Sequence, residues 1–157
     1  MSAVLRFIQV QAENLIDAIR FPFRKNRDLY RALRNMLGFY PRKISLYQEA
    51  LMHKSMLAHA KSGIPLNNER LEFLGDAVLD AVVAELLYLK FPNKDQGFLT
   101  KIKSKVVSRK TLSEIAEELN LREIIRYHKG RTINLSSLEG NCFEALIGAI
   151  YLDGGFE

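Results

Sequence analysis

The 157-residue sequence contains one cysteine, Cys142, which excludes an intramolecular disulfide and cannot supply most of a zinc site. Any resident metal would therefore be held by oxygen or histidine ligands. The sequence lacks an uninterrupted apolar run of about 18 residues, so no segment reads as a membrane-spanning helix. Also absent are Gly-x-Gly-x-x-Gly, the phosphate-loop pattern and the Gly-x-Ser-x-Gly elbow. Nucleotide-binding α/β folds and serine hydrolases thus lack their usual fingerprints. Without an alternating strand pattern, a hairpin signal or an internal repeat, the chain reads as all-α. Its composition, 48% apolar and 26% charged, excludes disordered and low-complexity classes, and its length suits one ordinary domain. Twenty-three Lys plus Arg against 18 Asp plus Glu leave a net charge of +5. That excess fits an anionic partner, although it can also serve only solubility.

At the N-terminus, Arg6 interrupts an apolar stretch, and no small-residue cleavage site follows, which argues against a secretory signal. Ile8, Ala12, Leu15 and Ile19 recur at helical spacing, as in an amphipathic helix packed on its own domain rather than on a membrane. Residues 1–27 are read as this helix and a basic linker, Arg24-Lys25-Asn26-Arg27, which is either a solvated turn or a phosphate contact. Beyond it, Leu29 to Leu37 and Ile44 to His53 predict two helices, and Lys61 to Pro65 a loop. A long helix capped by Asn67 or Asn68 should end before Pro92. Three shorter helices are predicted over Thr100–Val107, Lys110–Leu119 and Leu121–Tyr127. The last should run from Ser136 or Ser137 to Leu152, with Gly154 and Gly155 beyond its end.

On the long helix, Glu69, Glu72 and Asp76 fall within roughly 60° of one another. Three carboxylates on one face usually mean a solvated surface. Here Leu71, Phe73, Leu74, Ala77 and Val78 surround them, so the stripe meets a buried boundary, where like charges raise one another's pKa unless a cation compensates. In the last helix Asn141 and Glu144 lie one turn apart among apolar residues. Burying Glu144 without a partner is costly, and a metal shared with Glu72 and Asp76 would remove that cost. Such oxygen donors suit Mg²⁺, with Mn²⁺ as a substitute.

At these residues the chain resembles the bacterial ribonuclease III family. Asn68-Glu69-Arg70-Leu71-Glu72-Phe73-Leu74-Gly75-Asp76-Ala77-Val78-Leu79 is similar to the family's signature segment. Ala50 to Ser55 upstream resembles the motif before it, and Gly97 to Lys101, Val107-Ser108-Arg109 and Phe143 to Asp153 follow downstream in family order. The resemblance spans residues 28–157 and implies an all-α, dimer-forming endonuclease domain. It implies a cytoplasmic enzyme that cuts double-stranded RNA to 5′-phosphate and 3′-hydroxyl ends in rRNA and mRNA processing, without an organic cofactor or membrane. Carried over by position, Glu72, Asp76, Asn141 and Glu144 form the metal site, with Asp76 and Glu144 catalytic and Glu69 auxiliary. The family aromatic matching Phe73 inserts into the partner subunit, and core packing is the alternative for this residue. Among the basic residues, Lys101, Lys105 and Arg109 are the candidate RNA contacts, a solvated face being the alternative. His53 is assigned no catalytic role.

The chain departs from the family pattern in two ways. Asn141 stands where the family usually has aspartate, consistent with a working variant, a weakened site or an engineered Asp-to-Asn change. A catalytically impaired RNA-binding or structural module is therefore the alternative function. Second, the double-stranded RNA-binding domain usual in the family is not part of this sequence.

Overall fold

Leu29, Leu33, Met36 and Leu37 recur along α1 (Arg27–Leu37), and Gly38 ends it in the left-handed conformation (φ 81°), its N–H donating to the Arg34 carbonyl. The computed structural model describes residues 26–56, 66–129 and 133–156. The amphipathic helix expected over Ile8–Ile19 and the loop expected at Lys61–Pro65 lie outside them. The chain divides into two units, residues 1–44 and 45–157. From the last residue of the first unit, α2 (Ile44–Ala50) runs into the second, which continues with a 3-10 turn at Lys54–Met56, α3 (Glu69–Lys90), α4 (Gln96–Val106), α5 (Arg109–Glu118), a 3-10 turn at Leu121–Glu123 and α6 (Leu135–Gly154). No strand is present among the described residues, in keeping with the all-α expectation.

The core is built around α6, which packs on both α3 and α5. Leu138, Cys142, Ala145, Leu146 and Ala149 are buried, as expected of a central helix that is apolar nearly all round. Two glycines allow α3 and α6 to touch backbone to backbone. A Cβ on Gly75 would run into the Glu144 carbonyl and lie 2.9 Å from the Gly148 nitrogen. Reciprocally, a Cβ on Gly148 would meet the Leu71 carbonyl and lie 3.1 Å from the Gly75 nitrogen. Far from this crossing, the buried Tyr47 hydroxyl donates to Asp153 at 3.0 Å and ties α2 to the end of α6.

Several helix boundaries differ from the sequence reading for identifiable reasons. Helix α4 begins at Gln96 rather than Thr100, because the Asp95 carboxylate accepts the Phe98 N–H at 2.8 Å. Asn68 precedes α3 but does not cap it through its side chain; Asn67 instead accepts the Glu69 N–H at 3.0 Å. The helix expected over Leu121–Tyr127 stops after one 3-10 turn. Its continuation is drawn into a parallel bridge with Met52: Arg126 N–H donates to the Leu51 carbonyl at 2.8 Å, and its own carbonyl accepts the His53 N–H at 3.0 Å. Ile124 and Ile125 still donate to the Leu121 carbonyl at 3.0 Å each, so the helical pattern is lost at Arg126, whose N–H goes to Leu51 instead.

Because overpacking typically costs about 1–3 kcal/mol, Gly75→Ala should lower the thermal unfolding midpoint by several degrees. Gly97→Ala, whose Cβ would meet only Asp95 at 3.4 Å, should leave it unchanged. Equal midpoints for the two variants would contradict the close helix crossing.

Candidate active site

The Gly75–Gly148 crossing brings the acidic positions of α3 next to those of α6. Asp76 follows Gly75 and is exposed, while Glu72 and Glu144 are half-buried. Burial, followed by repulsion from Asp76 and then Glu72, pushes the Glu144 pKa up to about 7, with the Arg109 charge opposing the rise. Glu72 is also raised, first by burial; Arg109 opposes this, and so does a hydrogen bond from Asn141. The sequence-predicted Glu72, Asp76, Asn141 and Glu144 thus share one electrostatic neighbourhood.

Glu69 does not turn toward that group. Its carboxylate accepts from Lys54 at 3.0 Å and from Asn67 at 3.2 Å, and the Lys54 hydrogen bond lowers its pKa. Asp80, one turn beyond Asp76, is held by Lys103 at 2.6 Å. Two acids of the α3 stripe therefore already have cationic partners.

Arg109 was expected only as an RNA contact, yet its guanidinium donates to the Asn141 Oδ1 at 2.5 Å. Ser108 caps α5 through the Thr111 N–H, which places Arg109 at the first helical position. Lys101 and Lys105 are exposed on α4, while Arg122 is committed to the buried Glu139 at 2.6 Å. Lys101 and Lys105 are thus exposed cations of this run, while Lys103, Arg109 and Arg122 each have a partner within the fold.

The helix crossing is also supported from inside. Asn68, 1% exposed, donates through Nδ2 to the Cys142 sulfur at 3.3 Å and links the start of α3 to the turn of α6 carrying Asn141 and Glu144. Burial pushes the Cys142 thiol up to about 12, so it remains a neutral thiol at physiological pH. His53 contacts the Ser55 hydroxyl at 2.9 Å; burial first, then Lys54, lowers its pKa.

Among the described residues, no three His, Cys, Asp or Glu side chains form a ready-made metal cage. The carboxylates nonetheless fit a hard divalent cation, since Glu144 and Glu72 are raised by burial and like charge; the Asn141 amide oxygen is engaged by Arg109, and its amide donates to Glu72. Mg²⁺ in particular is commonly held by one or two carboxylates while retaining several waters.

Residues 43–157 match a family model described as ribonuclease-III-like. The chain is 52% identical over 144 residues to ribonuclease 3 of Bacteroides fragilis, covering 92% of this chain and 50% of that protein. It is 51% identical over 144 residues to ribonuclease 3 of Bacteroides thetaiotaomicron, covering 92% of this chain and 46% of the relative. The chain thus spans about half the length of these curated relatives. A solved nuclease domain of ribonuclease III from Campylobacter jejuni superposes with a TM-score of 0.69 at 38% identity, covering 80% of this chain and 86% of that one. Dicer from Pichia stipitis gives a TM-score of 0.55 at 30% identity, covering 74% of this chain and 48% of its own.

A carboxyl whose pKa rises from 4.5 to about 7 on folding retains in the native state a proton that the unfolded chain has lost. Its contribution to stability falls as pH rises through that window and is flat above it. In metal-free buffer, the stability gained by Glu144→Gln over the wild type should grow across the window and then level off. A gain independent of pH in thermal melts would contradict the shift.

Proposed function

The chain belongs to the ribonuclease-III-like family, and from that premise we propose that it is a divalent-metal-dependent endoribonuclease acting on double-stranded RNA as a homodimer. The observation that carries this reading is the meeting of Asp76 and Glu144 across the helix crossing, in a setting that burial and like charge leave short of a cation. Asp76 and Glu144 would be the principal ligands and Glu72 and Asn141 the supporting ones. Mg²⁺, or Mn²⁺ in its place, would supply an activated water and offset charge developing on the phosphoryl oxygens.

The protein's own residues contribute orientation. Backbone contact between the helices fixes the separation of Asp76 and Glu144, while Asn141 restrains Glu72 by hydrogen bonding. Arg109 lies where its charge favours ionisation of both Glu72 and Glu144. Lys101 and Lys105, exposed on α4, are suited to the backbone of an A-form duplex, which proteins recognise largely through phosphates and 2′-hydroxyls. Glu69, held by Lys54, has an auxiliary role outside the ligand set. The nuclease domain assigned to residues 28–157 contains the whole family match. Cytoplasmic processing of rRNA and mRNA is the biological setting this activity suits.

Dimerisation is supported by an exposed apolar face on α3. Phe73 is 81% exposed and Tyr88 71% exposed, which favours a partner contact over core packing for Phe73. Ala77, Ala81 and Ala84, all exposed, fall on the same side within roughly 80° of helix. An apolar stripe of this kind is what one copy would present to another around a two-fold axis, and two related sites would then cut opposite strands. The Campylobacter nuclease domain is itself described with a region involved in dimer formation.

With Mg²⁺, the wild type should reduce long duplex RNA to short duplexes with 5′-phosphates and 3′-hydroxyls, leaving duplex DNA intact. Asp76→Asn and Glu144→Gln should each lower the rate by at least about two orders of magnitude. Wild-type cutting rates in both variants would overturn the site assignment. In sedimentation, Phe73→Glu should shift the protein toward monomer, and an unchanged dimer would remove Phe73 from the interface.

A further inference from the structure

The positive charge of this protein is concentrated in one short segment. Residues 20–43 hold eight Lys and Arg against a single acid, Asp28, whereas residues 44–157 hold fourteen against fifteen. The segment that holds all of the family match but its first residue, Lys43, is therefore close to neutral despite its exposed lysines. Some of its cations are also engaged internally, Lys103 by Asp80 and Arg122 by Glu139. A nearly neutral nuclease unit gives a polyanion little long-range attraction.

Part of the basic segment lies on α1. On α1, Arg27, Arg31 and Arg34 are all exposed and fall within an arc of roughly 60°, making a stripe about 10 Å long. Helix stability explains this arrangement only in part. Arg34 lies in the last turn, where the helix dipole favours a cation, but Arg27 is the first helical residue, where the dipole disfavours one. Among the described residues the nearby acid Asp28 reaches only Arg31, at 3.9 Å, with its own side chain fully exposed. The apolar residues Tyr30 and Leu33 are 5% and 0% exposed. They are therefore not available to enter a lipid surface, as an interfacial helix requires. What α1 presents is guanidinium groups, whose planar forks suit phosphate oxygens.

Resting on the duplex-RNA reading above, we propose that the Arg27–Arg31–Arg34 face of α1 is a second RNA-backbone site that supplies much of the chain's electrostatic attraction for its substrate. Contacts of this kind carry no sequence information. Each neutralised phosphate releases counterions, so the face should set the salt dependence of binding more than the rate of the chemical step.

The test is duplex-RNA binding across a salt series, in a Glu144→Gln background that suppresses cutting. Replacing Arg27, Arg31 and Arg34 together by Gln should flatten the log–log salt slope by about two to three units and weaken binding on the order of ten-fold near 0.1 M salt. Replacing the same three by Lys should restore most of both. In the wild-type background the Gln variant should raise KM and leave the single-turnover rate at saturating RNA unchanged. Circular dichroism of the Gln and Lys variants should match the parent.

An unchanged slope in the Gln variant would overturn the proposal while leaving the nuclease reading intact if the wild type still cuts duplex RNA. Failure of the wild type to bind or cut duplex RNA would bring down both. Arginine-dependent binding to phosphatidylserine vesicles with no effect on RNA would overturn the proposal in favour of a membrane surface.

Discussion

The site depends on a steric constraint, the backbone contact between α3 and α6 at Gly75 and Gly148. Neither position has space for a Cβ, and without that approach the carboxylates following Gly75 and projecting from the Glu144 turn would belong to separate helix faces. The contact has an electrostatic cost, because it crowds acids at a half-buried boundary and raises Glu144 and Glu72. Packing energy from the surrounding apolar residues, Leu71, Val78, Ala145, Leu146 and Ala149, all buried, offsets that repulsion. Asn68, bonded to Cys142, adds a polar tie at the same crossing.

The charges around this crossing are sorted by partner. Glu69 and Asp80 have lysines of their own, and buried Glu139 has Arg122. Glu72 and Glu144 receive only opposition to their raised pKa from Arg109, whose hydrogen bond goes to neutral Asn141. Arg109 is thus an incomplete counter-ion, close enough to favour the ionised carboxylates without pairing with them directly. That arrangement leaves the Glu72 and Glu144 carboxylates, rather than the Asn141 oxygen, as the groups that a divalent cation would compensate. It also gives Asn141 a role that its missing charge does not remove, as acceptor for Arg109 and donor to Glu72.

Much of this organisation was legible in the sequence. Helical periodicity locates the long helix and the last one, and carboxylates among apolar residues mark the candidate site. Periodicity could not separate Glu69 and Asp80 from Glu72 and Asp76, because it gives angular position and not the lysines that approach from other elements. It also missed Arg109 as a neighbour of the acids, since that contact joins residues 32 positions apart. The expected helix at Leu121–Tyr127 failed for a similar reason: its backbone groups find partners at Leu51–His53, a pairing no local pattern announces. Gly75 and Gly148 were present in the quoted segments, yet their importance emerges only from the opposing backbone.

The central claim is that this helix crossing builds a divalent-metal site from Glu72, Asp76, Asn141 and Glu144. Anomalous diffraction from crystals soaked in Mn²⁺ tests it most directly. The account predicts a manganese peak between α3 and α6 within about 2.0–2.3 Å of oxygens from Asp76 and Glu144. A peak elsewhere, or none at a concentration that supports RNA cleavage, would contradict it.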